Sequence, residues 1–131
     1  MKNLPPLPRS ELEITQIVWR LGDATVRQVV DEIPEERGLG FWTVQTYLRR
    51  LEKKGYLKSR KAGRNNIYSA AVDPEGVIKT VFEETVQRLF EGKAIPAFQH
   101  LIQDRQLTDE EIDHLQSALE ELKSQRRKKH R

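Results

Sequence analysis

Thr43-Val-Gln-Thr-Tyr-Leu-Arg-Arg-Leu-Glu-Lys-Lys-Gly55, followed by Tyr56-Leu57 and Lys61-Ala-Gly-Arg64, decides the fold. Val44, Tyr47, Leu48 and Leu51 recur at the spacing of one apolar helix stripe. Thr43, Gln45, Thr46, Arg49 and Arg50 fall off that stripe. They are short hydrogen-bonding groups and long cations, the types a helix needs to lie in a DNA major groove. Between Gln45 and Arg64 stand eight Lys or Arg and one acid, Glu52. A charge run alone is most often a solvated face. The order of an anchored helix, a glycine stop and a basic hairpin is what raises the reading to a DNA-contacting unit.

Upstream, two helices are expected. Ser10-Glu-Leu-Glu13 and Thr25-Val-Arg-Gln28 both have the capping-box pattern. The first helix presents Ile14, Ile17, Val18 and Leu21 before Gly22. The second presents Val26, Val29, Val30 and Ile33 before Pro34. Downstream, Tyr56–Lys61 and Asn66–Val72 read as strands around an Ala62–Asn65 turn. Three helices and a two-stranded wing make a winged helix-turn-helix over residues 1–72, its third helix entering the major groove.

Asp73-Pro74, a helix N-cap followed by a first-turn proline, marks the expected boundary to a second region over 73–123. Three amphipathic helices are expected there. Their apolar residues include Val77, Val81, Phe82, Leu89, Phe98, Leu101, Ile112, Leu115, Leu119 and Leu122. The last four follow a coiled-coil seam opened by a third capping box, Thr108-Asp-Glu-Glu111. About fifty residues make a thin core alone, so a second copy of the chain is the expected partner for these faces. The alternative is that they pack on the first domain. Residues 124–131 read as a basic, disordered tail. The overall expectation is a mainly α protein: a winged helix-turn-helix followed by a C-terminal three-helix dimerisation region.

The charge pattern supports this division. The chain of 131 residues carries a net +3, but residues 1–72 hold 13 Lys/Arg against 8 Asp/Glu, and residues 73–123 hold 5 against 12. A basic half followed by an acidic half points to a nucleic-acid module joined to a region with another task. There are no cysteines, which excludes disulfides and thiolate metal sites. No apolar run reaches the ~20 residues of a membrane span, and the N-terminus lacks a secretory apolar core. A cytoplasmic location is the expectation. His100, His114 and His130 have no spaced ligand partners, and no catalytic constellation or phosphate loop occurs. Neither an enzyme, nor a metal, nor a cofactor is expected.

The DNA reading assigns roles to residues. Thr43, Gln45, Thr46 and Arg50 are the candidate base readers. Arg49, Lys53, Lys54, Lys58, Arg60, Lys61 and Arg64 are candidate phosphate contacts. Trp42 either stacks on a DNA sugar or covers the junction of the second and third helices; the covering role is favoured. A protein–protein adaptor and an RNA-binding module remain the alternatives to sequence-specific DNA reading.

Thr43-Val-Gln-Thr46, Arg50-Leu51, Lys54-Gly55, Gly63-Arg64, Tyr68, Phe90-x-Gly92 and Leu107-Thr-x-x-Glu-Ile-x-x-Leu115 together resemble the penicillinase and methicillin-resistance repressor family, the BlaI/MecI type. The resemblance spans nearly the whole chain. It implies a homodimeric transcriptional repressor on a palindromic operator, joined through its C-terminal helices. In such repressors a membrane sensor peptidase responds to a β-lactam, and the repressor is cleaved in its dimerisation region. That position falls near His100-Leu101 here, where the Asn-Phe pair expected of those members is missing. The apolar stretch Phe98–Ile102 reads as a buried helix that must open before cleavage. A copper-responsive branch uses cysteines, which this chain lacks.

Overall fold

A computed structural model of the chain describes residues 4–129. Its contacts divide into two compact units, residues 1–81 and 82–131.

The first unit holds α1 (Arg9–Leu21), β1 (Asp23–Ala24), α2 (Val26–Glu32), a 3-10 turn (Glu35–Arg37), α3 (Phe41–Lys54), β2 (Leu57–Ala62) and β3 (Asn65–Ala70). The start of α4 (Pro74–Phe90) belongs to it as well. Ile14 and Val18 of α1, Val29 of α2, and Val44, Leu48 and Leu51 of α3 are fully buried together. Tyr68 and Leu57 close this core from the sheet. Thr25 forms the expected capping box: Gln28 N–H donates to its hydroxyl at 3.2 Å, and its own N–H donates to the Gln28 side chain at 2.8 Å. A cap of this kind contributes about 1 kcal/mol.

The sheet has three strands, in the order β1-β3-β2, all antiparallel. The two-residue β1 pairs Asp23 with Ser69 and Ala24 with Tyr68. It ties the chain between α1 and α2 to the wing. The wing turn runs through Gly63 at φ 65°, where a glycine avoids the steric cost of the left-handed region. Gly55 ends α3 at φ 94° and Tyr56 N–H donates to the Leu51 carbonyl, so the chain reverses directly into β2.

Several expectations are corrected. The Ser10 capping box is absent: α1 begins at Arg9 after Pro8, which places Ser10 inside the first turn and leaves the cap position without a side-chain bond. Leu21 is partly exposed rather than a core residue. The boundary falls after Val81, not at Asp73. Val77 is buried in the first unit's core and Val81 packs against that core, which commits both to the first unit rather than to the exposed apolar faces of the second unit's helices. Asp73 does cap α4, accepting from Glu75 N–H at 3.2 Å.

The second unit holds the rest of α4, α5 (Ala94–Asp104) and α6 (Asp109–Lys129). Glu91 and Gly92, at φ 55° and 80°, turn the chain out of α4. The Phe90 ring lies 5.5 Å from the His100 ring, and Ala97 is buried. Thr108 forms the third capping box reciprocally with Glu111, and those hydrogen bonds hold the Glu111 carboxyl below its usual pKa. The supposed disordered tail is helical through Lys129, since Ser124–Lys129 continues α6. Arg and Lys are good helix formers, and cations are favoured at a helix C-terminus. His130 and Arg131 lie outside the described residues.

Among the described residues, Ala97 is the one buried hydrophobic in this unit, while ten large apolar side chains are exposed. Leu89 and Leu119 are 65% and 61% exposed, and Phe82, Phe98, Leu101, Ile112, Leu115 and Leu122 are about half exposed. The Phe98–Ile102 stretch is therefore open in the single chain, not buried as expected.

Candidate nucleic-acid interface

Burial of Val44, Leu48 and Leu51 turns the opposite side of α3 outward. Trp42, Thr43, Thr46, Arg49, Arg50 and Lys53 are all exposed on it. At 100° per residue, Trp42, Thr46, Arg49, Arg50 and Lys53 form one continuous outward strip, with Thr43 on its flank. The helix is anchored on three sides, by α1, α2 and β2. A rigid, exposed strip of this kind, next to a basic hairpin, is what the major groove accepts.

Each expected reader has a definite environment. Thr46 Oγ1 donates to the Trp42 carbonyl at 3.0 Å, which leaves its methyl and its acceptor lone pairs facing out. Arg50 lies over the Tyr47 ring, 5.6 Å from its centroid, and 3.6 Å from Glu11 Oε1. Gln45 is half-buried beside the strip. It lines a cleft of about 120 Å³ with Arg27, Phe41, Arg64, Asn65 and Asn66, and so faces the wing rather than the centre of the reading surface.

The cations divide further. Lys53, Lys58, Lys61 and Arg64 are exposed, the last three on the wing. Arg60 forms a 3.3 Å ion pair with Asp23, which ties it to β1. Arg49 and Asn66 lie close enough to the phenol of buried Tyr68 to favour its charged form. Burial pushes that phenol above its usual pKa; the Glu52 carboxylate adds to the shift and Arg49 opposes it. Ser59 donates to Glu52 at 2.6 Å, a second link between α3 and the wing. Lys54 departs from its expected role as a phosphate contact. Its ammonium donates to Glu11 Oε2 at 2.6 Å and to the Pro6 carbonyl at 3.0 Å, and its side chain is only 20% exposed.

Trp42 also departs from expectation. It is 75% exposed, and Phe41 covers the α2–α3 junction in its place, packed on the core with the Arg27 guanidinium 5.2 Å from its ring centroid. The Trp42 indole stands edge-on to Phe41, free to meet a ligand.

Comparison with known proteins identifies the family and supports the fold. The family model described as "Penicillinase repressor" matches residues 7–121. The chain belongs to the penicillinase repressor family. Its relatives in this family include the penicillinase repressor of Bacillus licheniformis, 29% identical over 127 residues, which cover 97% of this chain and 99% of that protein. The methicillin resistance regulatory protein MecI of Staphylococcus aureus strain N315 is 21% identical over 110 residues, 84% of this chain and 89% of that one. Among solved structures, the DNA-binding domain of the repressor BlaI is 32% identical, with a TM-score of 0.50, over 56% of this chain and 90% of that domain. Penicillinase repressor family membership thus covers both units, while the structural match is to the winged-helix part.

The signals missed in the sequence lie at Glu11 and Thr15. Both are buried polar residues on α1. Thr15 hides its hydroxyl on the Glu11 carbonyl at 2.7 Å. One carboxylate oxygen of Glu11 accepts from a lysine 43 positions away, which no local spacing reveals. Among the described residues no helix is long and apolar enough to cross a membrane.

Proposed function

We propose that this chain is a DNA-binding transcriptional repressor that acts as a homodimer on a palindromic operator. The observation that carries the DNA reading is the outward strip of α3 held beside an exposed basic wing. Thr43, Thr46 and Arg50 read bases, with Gln45 contributing from the wing side. Lys53, Lys58, Lys61 and Arg64 hold phosphates, and Trp42 packs on a backbone sugar. The homodimer is supported by the second unit, whose apolar side chains stand exposed around almost no core of their own. A second copy supplies the burial they lack.

Release fits the same arrangement. A membrane-bound sensor peptidase, acting directly or through another protease, would act on the second unit. His100 and Leu101 lie inside α5, so their peptide bond becomes available only when that helix opens. Weakening the pairing of two copies and exposing α5 are then one event, which frees the operator.

Arg50→Ala and Thr46→Ala test the assignment of readers. Each is expected to weaken operator binding by about 1–3 kcal/mol while nonspecific binding changes less. Titrations on operator and scrambled duplexes at one salt concentration measure both. Equal losses on the two DNAs would reassign these residues to the phosphate-holding set.

A further inference from the structure

Glu11 lies on the inward face of α1 with its side chain 2% exposed, beneath the C-terminal end of the reading helix. One carboxylate oxygen accepts from Lys54 at 2.6 Å. The other, Oε1, is buried without a hydrogen-bond partner and sits 3.6 Å from the Arg50 guanidinium. A buried carboxylate is costly unless its partners are close, and an unsatisfied oxygen adds to that cost. Oε1 therefore draws Arg50 toward it, while the Tyr47 ring flanks the same guanidinium. Lys54 is fixed a second time by the Pro6 carbonyl, and Tyr56 donates to Pro5, so the proline-rich arm braces the same corner.

We infer that Glu11 is a positioning residue for DNA recognition: it holds Arg50 in one presentation and cancels cationic charge at this end of the helix. The inference rests on the reading of Arg50 as a base reader. A free arginine on an exposed helix meets any phosphate within reach. Held between a carboxylate and a ring, it has less rotamer freedom to lose on orienting toward a base edge. Neutralising charge at the same corner lowers affinity for DNA of any sequence. Glu11 thus favours discrimination over raw affinity.

Glu11→Gln keeps the shape and removes the charge. The ratio of operator to scrambled-duplex affinity is expected to fall about tenfold, the scale of one misplaced base reader. The salt dependence of binding should steepen by about one in logarithmic slope, as a freed cation reaches phosphate. In an Arg50→Ala background the same substitution should cause no further fall in the ratio. A merely structural role would show as lower thermal stability and equal weakening on both DNAs with an unchanged slope, and that would overturn the inference. A fall in the ratio that persists in full without Arg50 would overturn it too. Arg50→Ala alone tests the reading beneath it. If that variant keeps the wild-type ratio, Arg50 is no base reader, and the slope decides for Glu11: steepening supports the hold on cations, and an unchanged slope refutes it.

Discussion

Leu115→Glu combined with Leu119→Glu is expected to turn the protein into a monomer and to weaken operator binding by about 10²- to 10⁴-fold. Both leucines are exposed on the single chain, at 45% and 61%, and stand one turn apart on α6. Replacing them removes only part of what the isolated unit buries, and glutamate is a good helix former. The larger share of the loss is expected from pairing between copies. Two negative charges per chain placed in an apolar seam repel the partner and stay in water more cheaply alone. The scale of the binding loss follows from linkage: with two domains on one assembly, the second half-site is bound at high effective concentration. Light scattering and operator titration measure the two effects. A variant that stays dimeric, or a monomer that binds the operator as tightly as the wild type, would contradict the role given to the second unit.

Leu48→Ala should destabilise the first unit by about 2–5 kcal/mol, a large share of the ~5–15 kcal/mol that holds a domain together. Leu48 is fully buried at the middle of α3, a helix packed by α1, α2 and β2. Its loss leaves a cavity beneath the reading surface, bounded by elements that cannot all close in at once. The midpoint of urea unfolding should drop accordingly, and DNA binding should fall with the folded fraction. A loss under about 1 kcal/mol would mean that the site collapses freely, and that α3 is less rigidly seated than the core implies.

Much of this architecture is legible in the sequence, because its determinants are local. The α3 stripe, the Gly55 stop and the Thr25 and Thr108 capping boxes each involve residues within one or two turns of each other. What stayed hidden depends on distant partners or competing starts. β1 has two residues and exists only by pairing with β3, far along the chain. Ser10 has a capping pattern, yet α1 begins one residue earlier at Arg9 and takes the serine into its first turn. Lys54 has the sequence context of any other cation of the run, and only its distant partners, Glu11 and the Pro6 carbonyl, set it apart. Ser124–Lys129 looked too charged to order, although those residue types extend a helix whose acidic start complements its basic end. Val77 has the spacing of an amphipathic helix face, but spacing does not say which unit the face covers. The base-reading group was legible as a set of types. Its internal ranking was not, since Gln45 turns toward the wing and Arg50 leans on a buried acid.

The central claim is that two copies of one outward-facing helix read a symmetric site. Selection of binding sequences from a random pool of duplex DNA by the full-length protein tests it most directly. The account predicts enrichment of an inverted repeat, with half-sites about one helical turn apart. No enrichment, or capture of RNA in preference to duplex DNA in the same competition, would contradict it and leave the basic strip as a surface for another partner.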